Sequence, residues 1–514
     1  MRFPRASGIL LHPTSLPGPW GIGDLGSAAY EFVDMLVAAG QSLWQILPLG
    51  PTGYGDSPYQ CFSAFAGNPF LISIDQLAAE GLLDAATFAE AAVHAEHFSP
   101  DQVDSQAVQP FKMALFRHSF ELFHAGASLS HEHAFKQFCI EQASWLNDYA
   151  LFMALKTEHD NRSWPTWEPE LATREPHALV QARKRLTKEF QFQQYLQYLF
   201  FSQWLPLKAY ANAHGIRIIG DAPIFVAYDS ADVWANPTLF YLDTAGQPTV
   251  IAGVPPDYFS ATGQRWGNPL YRWDRMAATG YAWWIERIRN ALTTVDILRI
   301  DHFRGFAAYW EIPAEEETAI NGHWVEAPGT ELFTALEVAL GELPLIAEDL
   351  GVITPDVEAL RDRFHLPGMK VLQFAFGDDA NNPYLPHNYL PNCIVYTGTH
   401  DNNTTLGWFL ELEHEEREII RRYLGHNGND ISWDMLRLAL ASVADTAIVP
   451  LQDILRMGSD ARMNIPGVLG GNWSWRFHRD AISPWLLIGL RLLVETYGRM
   501  TKKATAATAD AAAA

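Results

Sequence analysis

The segment ILRIDHFRGF, residues 297–306, carries the pattern from which the fold can be inferred. It opens with the short, mainly apolar run Ile297–Ile300 and then passes to a carboxylate, Asp301. A run of this length between helix-like stretches is typical of a parallel strand that is buried on both faces. Because the active sites of parallel α/β barrels lie at the carboxyl ends of the strands, Asp301 is the first candidate for a functional residue.

Runs of the same kind recur through the 514 residues, and helix-like stretches such as Ala28–Ala39 and Pro355–Phe364 separate most of them. The predicted strands are Gly8–Leu11, Leu43–Leu47, Ile216–Gly220, Ile297–Ile300, Leu345–Ala347, Lys370–Phe374, Cys393–Tyr396 and Thr446–Val449. Eight strands that alternate with helices predict the α/β class and, within it, a closed (β/α)8 TIM barrel.

The spacing of these runs is uneven, which predicts large, mainly helical insertions between strands. The longest insertion separates the second and third strands and looks helical from Ile74 to Ala213. After the third strand, the Pro/Gly/aromatic-rich segment Thr249–Trp273 is predicted to be an ordered but mobile loop. The expected organisation is a barrel over residues 1–500, with inserted subdomains at about 50–75, 76–213 (mainly helical) and 227–290 (lid-loop region), and a low-complexity tail without function at 501–514.

The charge of the chain argues against polyanionic partners. With 59 acidic and 36 basic residues, the net charge is −23, which disfavours binding to nucleic acid and to anionic membranes. The three cysteines, Cys61, Cys139 and Cys393, are far apart and give neither a disulfide framework nor a metal-binding pair. Because the sequence also shows no signal-like or membrane-spanning apolar run, we expect a cytoplasmic location.

Carboxylates follow four of the predicted strands. They are Asp221, Asp301, Glu348 with Asp349, and Asp401, which follows His400. A single acidic residue after a strand is usually the cap of the next helix. Four that converge on one rim would repel one another, which costs free energy unless the cluster has a chemical task.

Two of these carboxylates suit the retaining cleavage of a glycosidic bond, which needs a nucleophile and a proton donor about 5–5.5 Å apart. Asp301 is the candidate nucleophile, because Arg299 lies on the same face of the strand and would keep it ionised. Glu348 follows Leu-Ile-Ala, and an apolar approach would raise its pKa as a general acid requires. Asp401 would brace the sugar hydroxyls as positive charge develops, while His400 would hydrogen-bond one of them.

Several long motifs share these residues: GDSPYQCFSAFAGNP from Gly55, GDAPIFV from Gly220, LRIDHFRGF from Leu298, IAEDLG from Ile346 and YTGTHDNNT from Tyr396. On these motifs the chain, from Ser7 to Arg476, resembles glycoside hydrolase family 77, the amylomaltases or disproportionating enzymes of the α-amylase clan. The resemblance implies a 4-α-glucanotransferase. Such an enzyme moves a segment of a 1,4-α-glucan to the 4-hydroxyl of an acceptor through a covalent glycosyl-enzyme.

The resemblance also implies roles for individual residues. Asp301 matches the nucleophile, Glu348 the acid/base and Asp401 the transition-state stabiliser. The implied substrate contacts are Tyr59, Asp221, Arg299, His400, Asp257, Trp266 and Asn268. The segment Pro255–Pro269 resembles a lid loop over the acceptor side of the cleft, and its Tyr258, Phe259 and Trp266 could exclude water. Tyr54 resembles a position that binds glucan away from the active site in some members, although a tyrosine between two glycines is as readily a turn residue.

The partners implied by the resemblance are a maltodextrin or other α-1,4-glucan as donor and glucose or a maltodextrin as acceptor. It implies no cofactor, no metal, no nucleic acid, no membrane and no obligate protein partner. Three alternatives stay open at this point: an α-glucan hydrolase of the same clan, a metal-dependent hydrolase on the same barrel, and a non-catalytic maltodextrin-binding protein. A steady rise in reducing ends would indicate the α-glucan hydrolase. Loss of activity on chelation would indicate the metal-dependent hydrolase, and inertness toward maltotriose would indicate the binding protein.

Overall fold

The computed structural model describes residues 3–126, 129–256 and 260–500, and of Tyr54 it describes the backbone alone. The expected contact Asp257, the expected lid residues Tyr258 and Phe259, and the tail at 501–514 therefore lie outside the described residues, as does the side chain of Tyr54. Within these ranges, no helix combines the length and the apolar character that a membrane crossing requires.

The strands form two separate sheets. In chain order they are β1 (Ala6–Leu10), β2 (Leu43–Gln45), β3 (Arg217–Pro223), β4 (Val250–Val254), β5 (Gln264–Pro269), β6 (Ile297–Asp301), β7 (Ala308–Pro313), β8 (His323–Glu326), β9 (Leu345–Ala347), β10 (Gly368–Val371), β11 (Cys393–Tyr396) and β12 (Thr446–Pro450). Eight of them form a parallel sheet in the order β10-β11-β12-β1-β2-β3-β6-β9, which is the sheet of an α/β barrel.

All eight predicted barrel strands are present, with two notable shifts in their ends. Strand β3 runs on to Pro223, so that Asp221 lies inside it. The prediction Lys370–Phe374 was wrong at its end, because β10 stops at Val371 and Leu372–Phe374 form a turn of 3₁₀ helix. Leu372 and Gln373 stay buried in this turn, and a short run of buried residues does not by itself distinguish a strand from a turn.

Nineteen helices cover the sheet and fill the insertions within the described ranges. They are α1 (Ser27–Ala38), α2 (Ile74–Ala79), α3 (Ala85–Ala95), α4 (Ser105–His124), α5 (Leu129–Glu141), α6 (Ala143–Glu158), α7 (Pro169–Ala172), α8 (Pro176–Arg185), α9 (Thr187–Ala213), α10 (Ala231–Ala235), α11 (Trp273–Ala278), α12 (Ala282–Thr294), α13 (Gly329–Leu340), α14 (Pro355–Arg363), α15 (Thr405–Glu411), α16 (His414–Leu424), α17 (Ile431–Ala441), α18 (Leu451–Ile454) and α19 (Pro484–Thr496). The helical insertion expected between the second and third barrel strands is formed by α2 to α9, while its division into subdomains stays a prediction.

The interior of the barrel explains where the strand-end side chains point. Its core contains Leu10, Leu43, Ile219, Ile297 and Ile346, each from a different strand. Side chains two residues apart on a strand share a face. Asp221 therefore continues the inward face set by Ile219, while Arg299 and Asp301 continue the face set by Ile297 toward the rim.

The second sheet corrects the expectation of a loop over Thr249–Trp273. Strands β4 and β5 are antiparallel partners in this segment, and the four-stranded order is β5-β4-β7-β8. The ladder joins β4 to β7 through pairs such as Ile251 with Ile312, which are far apart in sequence. Strand β5 contains Gly267 and ends at Pro269, residues that read as a loop but are tolerated on an edge strand with one partner.

The barrel closes between β9 and β10 through a side chain as well as the backbone. The Ala347 N–H donates to the Pro367 carbonyl at 3.0 Å, and the Met369 N–H donates to Asp349 Oδ1 at 2.7 Å. Asp349 is 6% exposed, and its other oxygen accepts from Arg361 on the last turn of α14 at 2.6 Å. Asp349 therefore joins the seam of the barrel, unlike the other strand-end acids.

Replacing Asp349 with Ala should destabilise the fold by roughly 3 kcal/mol, because it leaves a buried backbone N–H and one guanidinium nitrogen of Arg361 without their acceptor. The midpoint of thermal unfolding, followed by circular dichroism, should fall by several degrees. Asp362→Ala is the matched control, since Asp362 also binds Arg361 but its side chain is 65% exposed. Equal midpoints for the two variants would contradict the seam role.

Candidate active site

One buried arginine connects the ends of two neighbouring strands. Arg299 on β6 donates through one terminal nitrogen to Asp221 Oδ2 at 2.6 Å and through the other to Asp301 Oδ1 at 2.9 Å. Its side chain is 5% exposed. Burial lowers the pKa of Arg299, but Asp221 and Asp301 outweigh this effect and raise it well above its ordinary value. The guanidinium thus stays charged between two carboxylates that the alternation of β3 and β6 directs to the same rim.

Glu348 follows β9 and lies beside this group. Its carboxyl accepts from two backbone donors, the His302 N–H at 2.7 Å and the Leu350 N–H at 3.0 Å. Burial and, next, the Asp301 carboxylate raise the pKa of Glu348 to about 8, against the lowering effect of Arg299 and of the two N–H groups. A carboxyl that keeps its proton at neutral pH can serve as a general acid.

Tyr59 and His400 form a stacked pair that lines the cleft. Their ring centroids are 5.0 Å apart at an interplanar angle of 15°, and the Tyr59 hydroxyl donates to Asp221 Oδ2 at 2.9 Å. Burial lowers the pKa of His400 even though Asp401 opposes this effect, so that the imidazole is neutral. Trp473 lies near both rings, with its centroid 6.0 Å from that of Tyr59. Segments distant in sequence therefore build one wall.

The Asp401 side chain is exposed to the cleft, and hydrogen bonds from the protein fix its position. Its side chain is 46% exposed, and Oδ1 lies 3.3 Å from His400 Nε2. Asn464 donates to the same oxygen at 2.6 Å, and Arg462 donates to the Asp401 backbone carbonyl at 2.6 Å. The exposed carboxylate can face a ligand while its position stays fixed.

Some of these groups border an open cleft, where about 770 Å³ of empty space includes open solvent. Asp221, Arg299 and Glu348 are not among the residues that line it. Six residues expected from the sequence line it: Tyr59, Trp266, Asn268, Asp301, His400 and Asp401. The amide of Asn268 is engaged with the protein, because Nδ2 donates to the Val226 carbonyl at 2.8 Å and Oδ1 accepts from Gln60 at 3.4 Å. Asn268 therefore fastens β5 to the barrel.

The cleft also contains residues that sequence reasoning did not assign, namely Gln60, Gln264, His302 and Asn464. His302 and Gln264 stand inside recognised motifs, so their position next to Asp301 and Trp266 was a usable signal. Asn464 follows no strand and carried no such signal. Among the described residues, no group of three or more His, Cys, Asp or Glu side chains is arranged to hold a metal ion.

Comparisons with known proteins point to one family. A model of glycoside hydrolase family 77, described as 4-alpha-glucanotransferase, matches residues 11–482. The chain is 54% identical over 499 residues to a 4-alpha-glucanotransferase from Synechocystis sp., covering 96% of this chain and 98% of that protein. It is 52% identical over 508 residues to one from Thermus thermophilus, covering 97% and 100%. Among solved structures, an amylomaltase from Streptococcus agalactiae in complex with acarbose superposes with a TM-score of 0.93 at 41% identity, covering 97% and 100%.

Asn464→Ala should lower kcat/KM for glucan conversion about 10- to 100-fold, because it removes a hydrogen bond to a charged oxygen of Asp401. Steady-state kinetics on a maltodextrin would measure the loss. Asn429→Ala removes an exposed loop asparagine and should change kcat/KM less than twofold. A wild-type value for Asn464→Ala would show that Asp401 does not need this support.

Proposed function

The chain belongs to glycoside hydrolase family 77, the 4-alpha-glucanotransferases, and we propose that its strand-end carboxylates perform the transfer by double displacement. As a 4-alpha-glucanotransferase it acts on α-glucans. The observation that carries the proposal is the pair of hydrogen bonds from Arg299 to Asp221 and Asp301. They lie next to Glu348, whose pKa is raised. The proposed nucleophile and proton donor thus come from the neighbouring strands β6 and β9, and the proposed stabiliser follows β11.

In the first half of the reaction, Asp301 attacks the anomeric carbon of the donor glucan. The bond from that carbon to the glycosidic oxygen breaks, and Glu348 gives its proton to the departing oxygen. The products are a glycosyl ester on Asp301 and a shortened glucan with a free 4-hydroxyl. Arg299 orients the attacking carboxylate through its contact with Oδ1.

In the second half, the 4-hydroxyl of an acceptor, glucose or a maltodextrin, attacks the same carbon. Glu348, now a carboxylate, takes the hydroxyl proton, and the ester bond to Asp301 breaks. Two inversions restore the α configuration. The proposal requires no cofactor, because both proton transfers run through Glu348.

The remaining polar groups bind the sugar at the reacting carbon. Asp401 is exposed on the side that faces the cleft, so that it can accept from sugar hydroxyls and offset positive charge in the transition state. Neutral His400 and Tyr59 supply a hydrogen-bonding edge and a flat wall beside it. Asp221 is engaged by Tyr59 and Arg299, and its part is to orient these two groups.

Transfer in place of hydrolysis requires an acceptor site that admits sugar and limits water. We assign this task to the hairpin β4–β5, whose Trp266 lines the cleft. Asp257 and the aromatic residues beside it belong to the same lid in this proposal. A relative is known in complex with acarbose, which supports a carbohydrate ligand here. We also propose that Tyr54 marks a second glucan site. We propose a cytoplasmic location, because three free cysteines suit a reducing compartment.

Maltotriose should be converted to glucose and longer maltodextrins with little net gain in reducing ends. Chromatography over time, combined with a reducing-end assay, measures both quantities. Asp301→Asn should lower turnover by at least about 10⁴-fold, because no ester can form, while Asp362→Asn should leave turnover unchanged. A steady rise in reducing ends would contradict transfer, and substantial turnover by Asp301→Asn would contradict the nucleophile.

The kcat/KM for a maltodextrin donor should fall as the pH rises through about 8, because Glu348 must carry a proton to the leaving oxygen. The direction follows from a raised pKa: the protonated form persists at neutral pH and is lost in mildly alkaline solution. An α-maltosyl fluoride donor, whose leaving group needs no proton, should show a weaker alkaline loss. Identical alkaline profiles for the two donors would argue against Glu348 as the acid.

A further inference from the structure

His302 adopts a backbone conformation that side chains seldom take. Its φ is 57° and its ψ is 49°, in the left-handed region. This conformation turns the N–H of His302 toward Glu348 Oε2, to which it donates at 2.7 Å. The following residue, Phe303, donates its N–H to the Glu348 backbone carbonyl at 3.0 Å. An unfavourable conformation that the surroundings hold in place next to reacting groups is a feature of functional sites.

The imidazole of the same residue faces the second sheet. Its ring meets Trp266 edge to face, with the centroids 4.7 Å apart and an interplanar angle of 85°. On another side the ring is close to Gly305, where an added Cβ would lie 3.2 Å from His302 Cδ2. Burial lowers the pKa of His302 to about 4, so that at neutral pH the ring packs as a neutral aromatic group.

Trp266 needs such a support. It lies on β5, an edge strand that pairs with β4 alone in the second sheet, and its indole N–H donates to Gln264 on the same strand at 3.1 Å. Among the described residues, His302 is the aromatic group that its ring contacts on the barrel. Trp266 also packs against the edge of the main hydrophobic core, and the His302 ring adds the aromatic contact that ties the indole to the end of β6.

We propose that His302 is a positioning residue that couples Trp266 on the hairpin to the Glu348 carboxyl on the barrel. One residue then fixes both the wall of the acceptor side and the group that must take the acceptor's proton. Without the ring, Trp266 loses its aromatic contact with the barrel, and water reaches Glu348 more easily. The inference rests on the proposed function, because it concerns which nucleophile, sugar or water, resolves the glycosyl-enzyme.

The test uses His302→Asn, because asparagine tolerates the left-handed conformation and keeps the backbone N–H while removing the ring. From maltotriose, the ratio of new reducing ends to transferred glucan should rise about tenfold, a change consistent with the loss of one aromatic contact. The KM for an α-maltosyl fluoride donor should change less than about threefold, because the donor side is untouched. His302→Phe restores an aromatic edge and should bring the ratio back to within about threefold of wild type.

A matched control exists at His365, a second histidine with positive φ (54°), which is exposed. The variants His365→Asn and His365→Phe show how the same substitutions at a left-handed position affect the protein away from the cleft. Both should leave the ratio unchanged. Trp266→Leu should raise the ratio as His302→Asn does. The double variant should show no further rise, because two residues that act as one unit are not additive.

Several outcomes would overturn the coupling. The first is a wild-type ratio in His302→Asn, and the second is a loss of transfer and hydrolysis in equal proportion. The third is a ratio in His302→Phe as high as in His302→Asn, while His365→Phe leaves the ratio unchanged. The fourth is full additivity in the double variant. Circular dichroism checks that each variant is folded. These failures differ from a failure of the proposed function, which would appear in the wild-type chain as mainly hydrolytic products or as turnover by Asp301→Asn.

Discussion

The active site depends on one buried guanidinium that carboxylates from two strands share. Arg299 extends from β6 to Asp221 on β3 and to Asp301 on its own strand. Without this charge, several acids at the rim of a barrel would repel one another and take up protons. With it, Asp301 is kept in place for the attack that we propose, and its negative charge helps to raise the pKa of Glu348. One ion pair network thus prepares two carboxyls for opposite tasks.

The barrel makes this arrangement possible because it brings strand ends together at a fixed spacing. The register of β3 with β6 sets Asp221 beside Arg299, and β9 follows β6 in the sheet, so that Glu348 arrives next to both. The adjacent acid, Asp349, leaves the cleft and joins the seam to β10. Glu348 therefore has the proposed chemical role, while its neighbour Asp349 closes the barrel, because consecutive side chains at a strand end point in opposite directions.

The walls of the cleft come from elements outside the barrel. Tyr59 belongs to the segment after β2, Asn464 and Trp473 to the segment after α18, and Trp266 to the second sheet. Three of them contact residues at strand ends directly: Tyr59 contacts Asp221, Asn464 contacts Asp401, and Trp266 contacts His302. In the proposed function, catalytic groups on a rigid sheet are thus completed by substrate-binding groups on loops and a hairpin, an arrangement that is common in barrels.

The sequence by itself determined the eight barrel strands, the helical insertion and the acids at the strand ends, because apolar periodicity and strand-end polarity are local properties. It also indicated that Arg299 and Asp301 share a face, since that follows from alternation. Tertiary structure decided what depends on distant partners. The pairing of β4 with β7 turned an apparent loop into a sheet, the barrel seam took Asp349 away from the cleft, and Asn464 reached Asp401 across 63 positions. Hydrogen bonds and ring contacts between remote segments form only when the chain has folded, and no local pattern records them.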